Sequence, residues 1–173
     1  MTLRLRPYQP SDEAAALAAN DALLADEFHF LLSWDPAMSW SDFLTALENQ
    51  RQGRNLTDEQ VRAVQLVADV EGEFVGRVSI RFLLNDFLAE RGGHVGYAVV
   101  PAQRRRGYAS EILRQALEIL RAEGIERVLV TCDEVNVGSV AVIERCGGVF
   151  ERIVPALDGG TGIRRYWIGE SPR

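Results

Sequence analysis

The chain has 173 residues, 47% hydrophobic and 25% charged, which is enough apolar material for one well-buried core, and with no Pro/Ser-rich linker the expectation is one globular domain over 1–173. A formal net charge of -6 argues against general nucleic-acid affinity, and no run approaches the roughly 18 uninterrupted apolar residues of a membrane span, nor does "MTLRLRPYQP" hold an apolar signal core, so a cytoplasmic protein is expected. All 19 basic residues are Arg, which removes lysine Schiff-base and general-base chemistry and leaves guanidinium forks suited to phosphate and carboxylate.

In chain order, "LRLR" at 3–6 alternates like a half-buried strand and is closed by Pro7 and Pro10. Ser11 and Asp12 precede an Ala-rich helical stretch, 13–25, and a second helical pattern around 42–50 follows the aromatic segment "EFHFLLSWDPAMSW". Two β-rich runs, 62–70 and 73–84, flank Glu71-Gly72 and predict a hairpin, after which "HVGYAVV" forms a third strand over 94–100. Ala109, Ile112, Leu113, Ala116, Leu117 and Leu120 then make an apolar stripe at helical spacing, ended by Gly124. "RVLVTC" at 127–132 reads as a buried strand, so strand, helix and strand form a βαβ crossover with parallel strands. A helix over about 137–146 and strands near 149–154 and 164–168 complete a mixed α/β sheet, mostly antiparallel with one parallel crossover and flanking helices. Cys132 and Cys146, with only two histidines and no C-x-x-C, give neither metal-ligand spacing nor a disulfide framework, and read as small buried hydrophobes.

The stretch "VVPAQRRRGYASEIL" crowds three arginines and a glycine into the mouth of the clearest helix. The first turn of a helix carries unpaired N–H groups and the positive end of the macrodipole, and a Gly there lets an anion approach the backbone. Arg104, Arg105 and Arg106 add charge-assisted contacts, so the spacing suits a diphosphate; a solvated basic turn is the plainer alternative.

Arg104-Arg105-Arg106-Gly107-Tyr108-Ala109 resembles the [QR]-x-x-G-x-[GA] signature of the GNAT (Gcn5-related N-acetyltransferase) family, and "NVGSVAVIERCGG" is similar to that family's later Asn-x-x-Ser/Ala helix. The resemblance runs from Arg4 to about Ile168 and implies a GNAT fold with acetyl-CoA bound where the parallel strands part. It implies that the backbone of Val99 and Val100 holds the pantetheine arm, that the amides of 104–109 cradle the pyrophosphate, and that Asn136 and Ser139 contact the cofactor, with helix capping the other reading of Asn136.

The implied reaction transfers an acetyl group to a primary amine of a small metabolite or peptide by direct attack, with no metal and no covalent enzyme intermediate. An amine with a pKa near ~10.4 must lose a proton before it attacks. His94 is the candidate base, at a position where many family members carry Glu; a strand histidine that orders the Gly92-Gly93 turn or simply faces solvent is the alternative. Glu27, His29 and Asp133 are weaker candidates. Where the family often places a Tyr general acid this chain has Ile143, which favours a second reading, a CoA-binding sensor without turnover. A Rossmann-type nucleotide enzyme is disfavoured because neither G-x-G-x-x-G nor G-x-x-x-x-G-K-[ST] occurs.

Overall fold

The structure, a computed structural model, describes residues 2–24, 28–157 and 159–169. Seven strands form one sheet: β1 (Leu3–Pro7), β2 (Ala63–Val70), β3 (Glu73–Arg81), β4 (Val95–Val99), β5 (Val128–Asp133), β6 (Val149–Val154) and β7 (Ile163–Ile168). Their order is β1-β2-β3-β4-β5-β7-β6, antiparallel throughout except between β4 and β5. The strands, the hairpin and the parallel crossover thus stand where alternation and β-branched runs predicted them. The order at the far edge is additional: β7 pairs with β5, which puts the largely exposed β6 outermost.

Two layers cover the sheet. On one face, α3 (Tyr108–Ala122) buries Ile112, Leu113, Ala116, Leu117 and Leu120 against Val78, Ile80 and Val95, with α4 (Val137–Arg145) contributing the fully buried Ile143. The apolar stripe of α3 recurs at i, i+3, i+4 and i+7, so its burial follows from helical geometry. On the other face, α1 (Glu13–Leu24) and α2 (Trp40–Gln52) enclose an aromatic cluster in which Trp34, Trp40 and Phe43 pack with centroids 5.0–5.8 Å apart. No helix among the described residues is long and apolar enough to cross a membrane.

The first strand is tied to the hairpin by charge. The Arg6 guanidinium grips Asp12 through Nη1 at 2.7 Å and Nη2 at 2.8 Å, and donates from Nε to Asp69 at 2.9 Å. Asp12 also accepts the Gln9 amide, and Asp69 the Gly72 amide of the β2–β3 turn. Burial opposes ionisation of Asp69, but the Gly72 amide and the charges of Arg6 and Arg4 outweigh it and hold the carboxyl below its ordinary 3.8.

Arg6→Met leaves Asp12, whose side chain is 6% exposed, without its ion-pair partner, and Asp69, 2% exposed, with only the solvent-facing Arg4 at 3.3 Å. Urea unfolding at neutral pH should show a loss of about 3–5 kcal/mol, because breaking a buried ion pair leaves its partner uncompensated. Since the folded carboxyl of Asp69 lies below its ordinary value, its contribution in the wild type is complete above pH 3.8 and disappears as pH falls through the folded value.

Candidate active site

The site begins where β4 and β5 meet and then part. Gly93 enters β4 at φ +66°, and a Cβ there would stand 2.7 Å from the Leu129 carbonyl oxygen, so this close approach to β5 requires glycine. His94 completes the contact: its N–H donates to the Leu129 carbonyl at 2.8 Å, and its Nδ1 accepts the Leu129 N–H at 2.9 Å. The parallel pairing consists of Val95 beside Val130. Beyond it β4 stays with β3 while β5 stays with β7, and a cleft of about 620 Å³ lies beside the C-terminal end of β4, walled by the loop into the following helix and by α4.

Chain alternation decides which atoms of β4 face that cleft. The Val100 N–H donates to Val75 of β3 at 2.9 Å, so the edge presented by Tyr97 and Val99 is the one without a strand partner. Val99 lines the cleft; Val100 does not, and packs instead against the aromatic cluster. A one-residue change of parity thus separates two neighbours that were expected to act together.

The other wall is the loop into α3. Arg105 at φ +65° and Gly107 at φ +83° both take left-handed backbone, which turns the chain sharply. A Cβ on Gly107 would meet nothing within 4 Å, so the space in front of the loop is open. Gly107 caps α3 with no side-chain hydrogen bond, and the first intrahelical bond runs from the Glu111 N–H to the Gly107 carbonyl at 3.3 Å. The N–H groups of Tyr108, Ala109 and Ser110 are therefore outside the helical ladder. Arg104, Arg105, Gly107, Tyr108 and Ala109 line the cleft, whereas Arg106 faces a separate shallow depression beside Thr2 and Glu111. Asn136 and Ser139 line it from α4, and Asn136 Oδ1 accepts the Ser139 N–H at 3.0 Å as the cap of that helix.

Three buried polar atoms on cleft-lining residues lack a hydrogen-bond partner among the described residues: the Tyr97 hydroxyl, the Ser110 hydroxyl and Gln103 Oε1. Burial pushes the Tyr97 phenol up to about 12; the nearby Ser139 hydroxyl opposes the shift without reaching ordinary hydrogen-bond geometry, so Tyr97 remains a donor at neutral pH. Burial also pushes the Cys132 thiol up to about 11 and that of Cys146 upward, which keeps both neutral, and both are free. Ile143 is fully buried.

The candidate bases fare differently. His94 is buried outside the cleft lining, with Nδ1 already occupied by the Leu129 N–H. Burial lowers the pKa of its imidazole below the ordinary 6.5, and the charge of Arg81 acts in the same direction. The geometry therefore supports the alternative, a histidine that orders the entry into β4, since protonating Nδ1 would break its bond to β5. Asp133 ends β5 exposed and away from the cleft lining, His29 is exposed, and Glu27 lies outside the described residues. Sequence reasoning passed over Ser110, Val142 and Arg145, which also line the cleft. Ser110 lies three residues past Gly107, one turn into α3, and Arg145 in the last turn of α4, so helical periodicity carried a signal for both. No group of three or more His, Cys, Asp or Glu able to hold a metal occurs among the described residues.

Residues 2–149 match the family model of the acetyltransferase (GNAT) domain. The chain belongs to the GNAT acetyltransferase family. Its fold is shared with solved GNAT-type structures. RimJ of Mycobacterium smegmatis in complex with CoA-disulfide is 24% identical with a TM-score of 0.69, over 96% of this chain and 81% of that one. RimL, a ribosomal L7/L12 alpha-N-protein acetyltransferase in complex with coenzyme A, is 19% identical with a TM-score of 0.69, over 98% and 94%. MccE, a microcin C7 self-immunity acetyltransferase in complex with acetyl-CoA and AMP, is 18% identical with a TM-score of 0.66, over 97% and 92%. No curated protein matches the chain.

Two substitutions test how this GNAT site is built. Tyr97→Phe removes a hydroxyl that has no partner, so the ligand-free protein should be as stable as the wild type or gain up to about 1–3 kcal/mol in chemical denaturation, the cost of an unsatisfied buried group. His94 has a folded pKa below its unfolded value of 6.5, so its contribution is complete above pH 6.5 and declines as pH falls from there toward the folded pKa. Unfolding series across that range should show this decline in the wild type and its absence in His94→Gln.

Proposed function

We propose that this GNAT protein is an acetyl-CoA-dependent N-acetyltransferase acting on a primary amine of a small metabolite or peptide, in the cytoplasm, by direct attack on the thioester. The observation that carries the reading is the convergence on one cleft of an unpaired strand edge, a helix N-terminus with no side-chain cap and buried hydroxyls without partners among the described residues. The site fits the co-substrate part by part. The amides of 108–110, with Arg104 and Arg105, meet a diphosphate, and Arg145 adds positive charge from α4. The edge at Tyr97 and Val99 pairs with the amides of a pantetheine arm as a neighbouring strand would.

Tyr97 takes a place in the chemistry that Ile143 leaves empty. Its hydroxyl, held protonated, donates a hydrogen bond toward the sulfur as negative charge develops there. Complete proton transfer is not needed, because a thiol with a pKa near ~8.5 leaves readily as thiolate from beside a donor with a pKa of about 12. The acceptor ammonium loses its proton to water, and His94 enters as the strap between β4 and β5. The second reading, CoA binding without turnover, rests on Ile143 being buried core in place of a tyrosine. Thiol release from acetyl-CoA in the presence of an amine panel separates the two: release that depends on the amine sinks the sensor, and binding with no release against any amine sinks the enzyme.

The loop gives the direct binding test. Gly107→Val forces a branched residue into φ +83° and sets its side chain in the open space before the α3 amides. Calorimetric affinity for acetyl-CoA should fall by roughly tenfold or more, the equivalent of one charge-assisted contact, with the circular dichroism spectrum intact. Gly107→Asn, which tolerates left-handed backbone, should retain more of the affinity than the Val variant. Wild-type affinity in Gly107→Val would remove the loop from the site.

A further inference from the structure

The face of β4 opposite α3 and α4 carries a second feature, two arginines without counterions. Arg77 and Arg81 lie four residues apart on β3 and point to the same side. Arg77 is 3% exposed, and donates from Nε to the Phe30 carbonyl at 2.8 Å, from Nη1 to Gly96 at 3.1 Å and from Nη2 to His29 at 3.4 Å. Arg81 donates from Nη1 to the Gly92 and Gly93 carbonyls at 3.2 and 3.1 Å, while its Nε and Nη2 make no hydrogen bond among the described residues. Carbonyls orient a guanidinium without cancelling its charge. Neither arginine forms an ion pair among the described residues, although seven other arginines pair with carboxylates within 3.3 Å.

The two cations converge on one point. A Cβ placed on Gly96 would lie 3.6 Å from both Arg81 Nη1 and Nη2 and 3.9 Å from Arg77 Nη1. Gly96 is partly buried, and the dent its missing side chain leaves is bordered by both guanidiniums. Like charges held this close in a largely desolvated place repel, and an anion between them reverses the sign of the interaction. The dent adjoins the cleft: Arg77 stands directly across from Ala98, which lines it, and Gly96 is one pleat, about 7 Å, from Ala98 on the same face. Phe28 joins the two, lining the cleft while its ring lies 5.5 Å from the Arg77 guanidinium carbon.

We propose that the Gly96 dent, between Arg77 and Arg81, binds an oxyanion, carboxylate or phosphate, carried by the amine acceptor a few bonds from the reacting nitrogen. The inference rests on the N-acetyltransferase reading and narrows its acceptor to anionic amines. The cleft receives the thioester from the α3 and α4 side, and the dent orients the acceptor from the other.

Matched amines test this with the full chain saturated with CoA or acetyl-CoA. β-Alanine is compared with propylamine, and phosphoethanolamine with ethanolamine, by calorimetry on the CoA-loaded protein and by thiol release from acetyl-CoA. At least one anionic member should bind and react with a preference of roughly tenfold or more over its neutral partner, the range of a hydrogen bond to a charged group, and whichever pair shows it identifies carboxylate or phosphate. The preference should shrink as ionic strength rises, fall about tenfold in Arg81→Met and be partly restored in Arg81→Lys. Should Arg81→Met fail to fold, the wild-type panel and its salt dependence decide the matter. Equal treatment of charged and neutral amines, or a preference unchanged by Arg81→Met, overturns the anion site. Anion-dependent binding to CoA-loaded protein with no thiol release supports the dent and overturns the transferase reading, so the two fail separately.

Discussion

Everything in the cleft depends on one brief meeting of parallel strands. β4 and β5 touch at Val95 and Val130, and the Gly93-His94 entry fastens β4 to Leu129 through two hydrogen bonds just before that point. A longer ladder would close the gap and consume the edge of Tyr97 and Val99; a weaker contact would let the strands separate along their length. The wedge exists because the join is tight at one end and each strand has another partner, β3 or β7, to follow away from it.

Arginine serves two distinct purposes in this molecule. On the outside, at β1 and at β7 it pairs with carboxylates, as when Arg6 spans Asp12 and Asp69 and thereby pins the chain entrance to the hairpin. Around the strands that flank the cleft it is left facing carbonyls, rings or open space, as at Arg77, Arg81 and Arg104. A protein with an overall acidic balance can therefore present concentrated positive potential where anions are to be held.

Most of the architecture was legible in the residues because it rests on local periodicity. The stripe of α3, the Glu71-Gly72 hairpin and the β-branched run of β5 each declare themselves over a handful of positions. The glycine at the α3 entrance was readable as a place where the backbone can be approached, whereas its left-handed conformation, φ +83°, was not. His94 was not readable: its partner Leu129 is 35 positions away, and only the assembled sheet reveals that its Nδ1 is occupied. Val99 and Val100 could not be told apart either, because strand parity is set by pairing with Val75. The insertion of β7 between β5 and β6 likewise arises from pairing across the sheet, of which short-range pattern holds no record.

The buried hydroxyls of Tyr97 and Ser110 carry one more consequence. Polar atoms enclosed without partners make the empty protein less stable than its contacts would allow, and a ligand that completes them returns that free energy on binding. Occupancy and folding are thereby linked thermodynamically: a ligand at a hundred times its dissociation constant adds about 2.7 kcal/mol to the unfolding free energy of any site that only the native state possesses. Where cleavage acts on the transiently opened form, the lifetime of such a chain against proteolysis then follows the occupancy of its cleft.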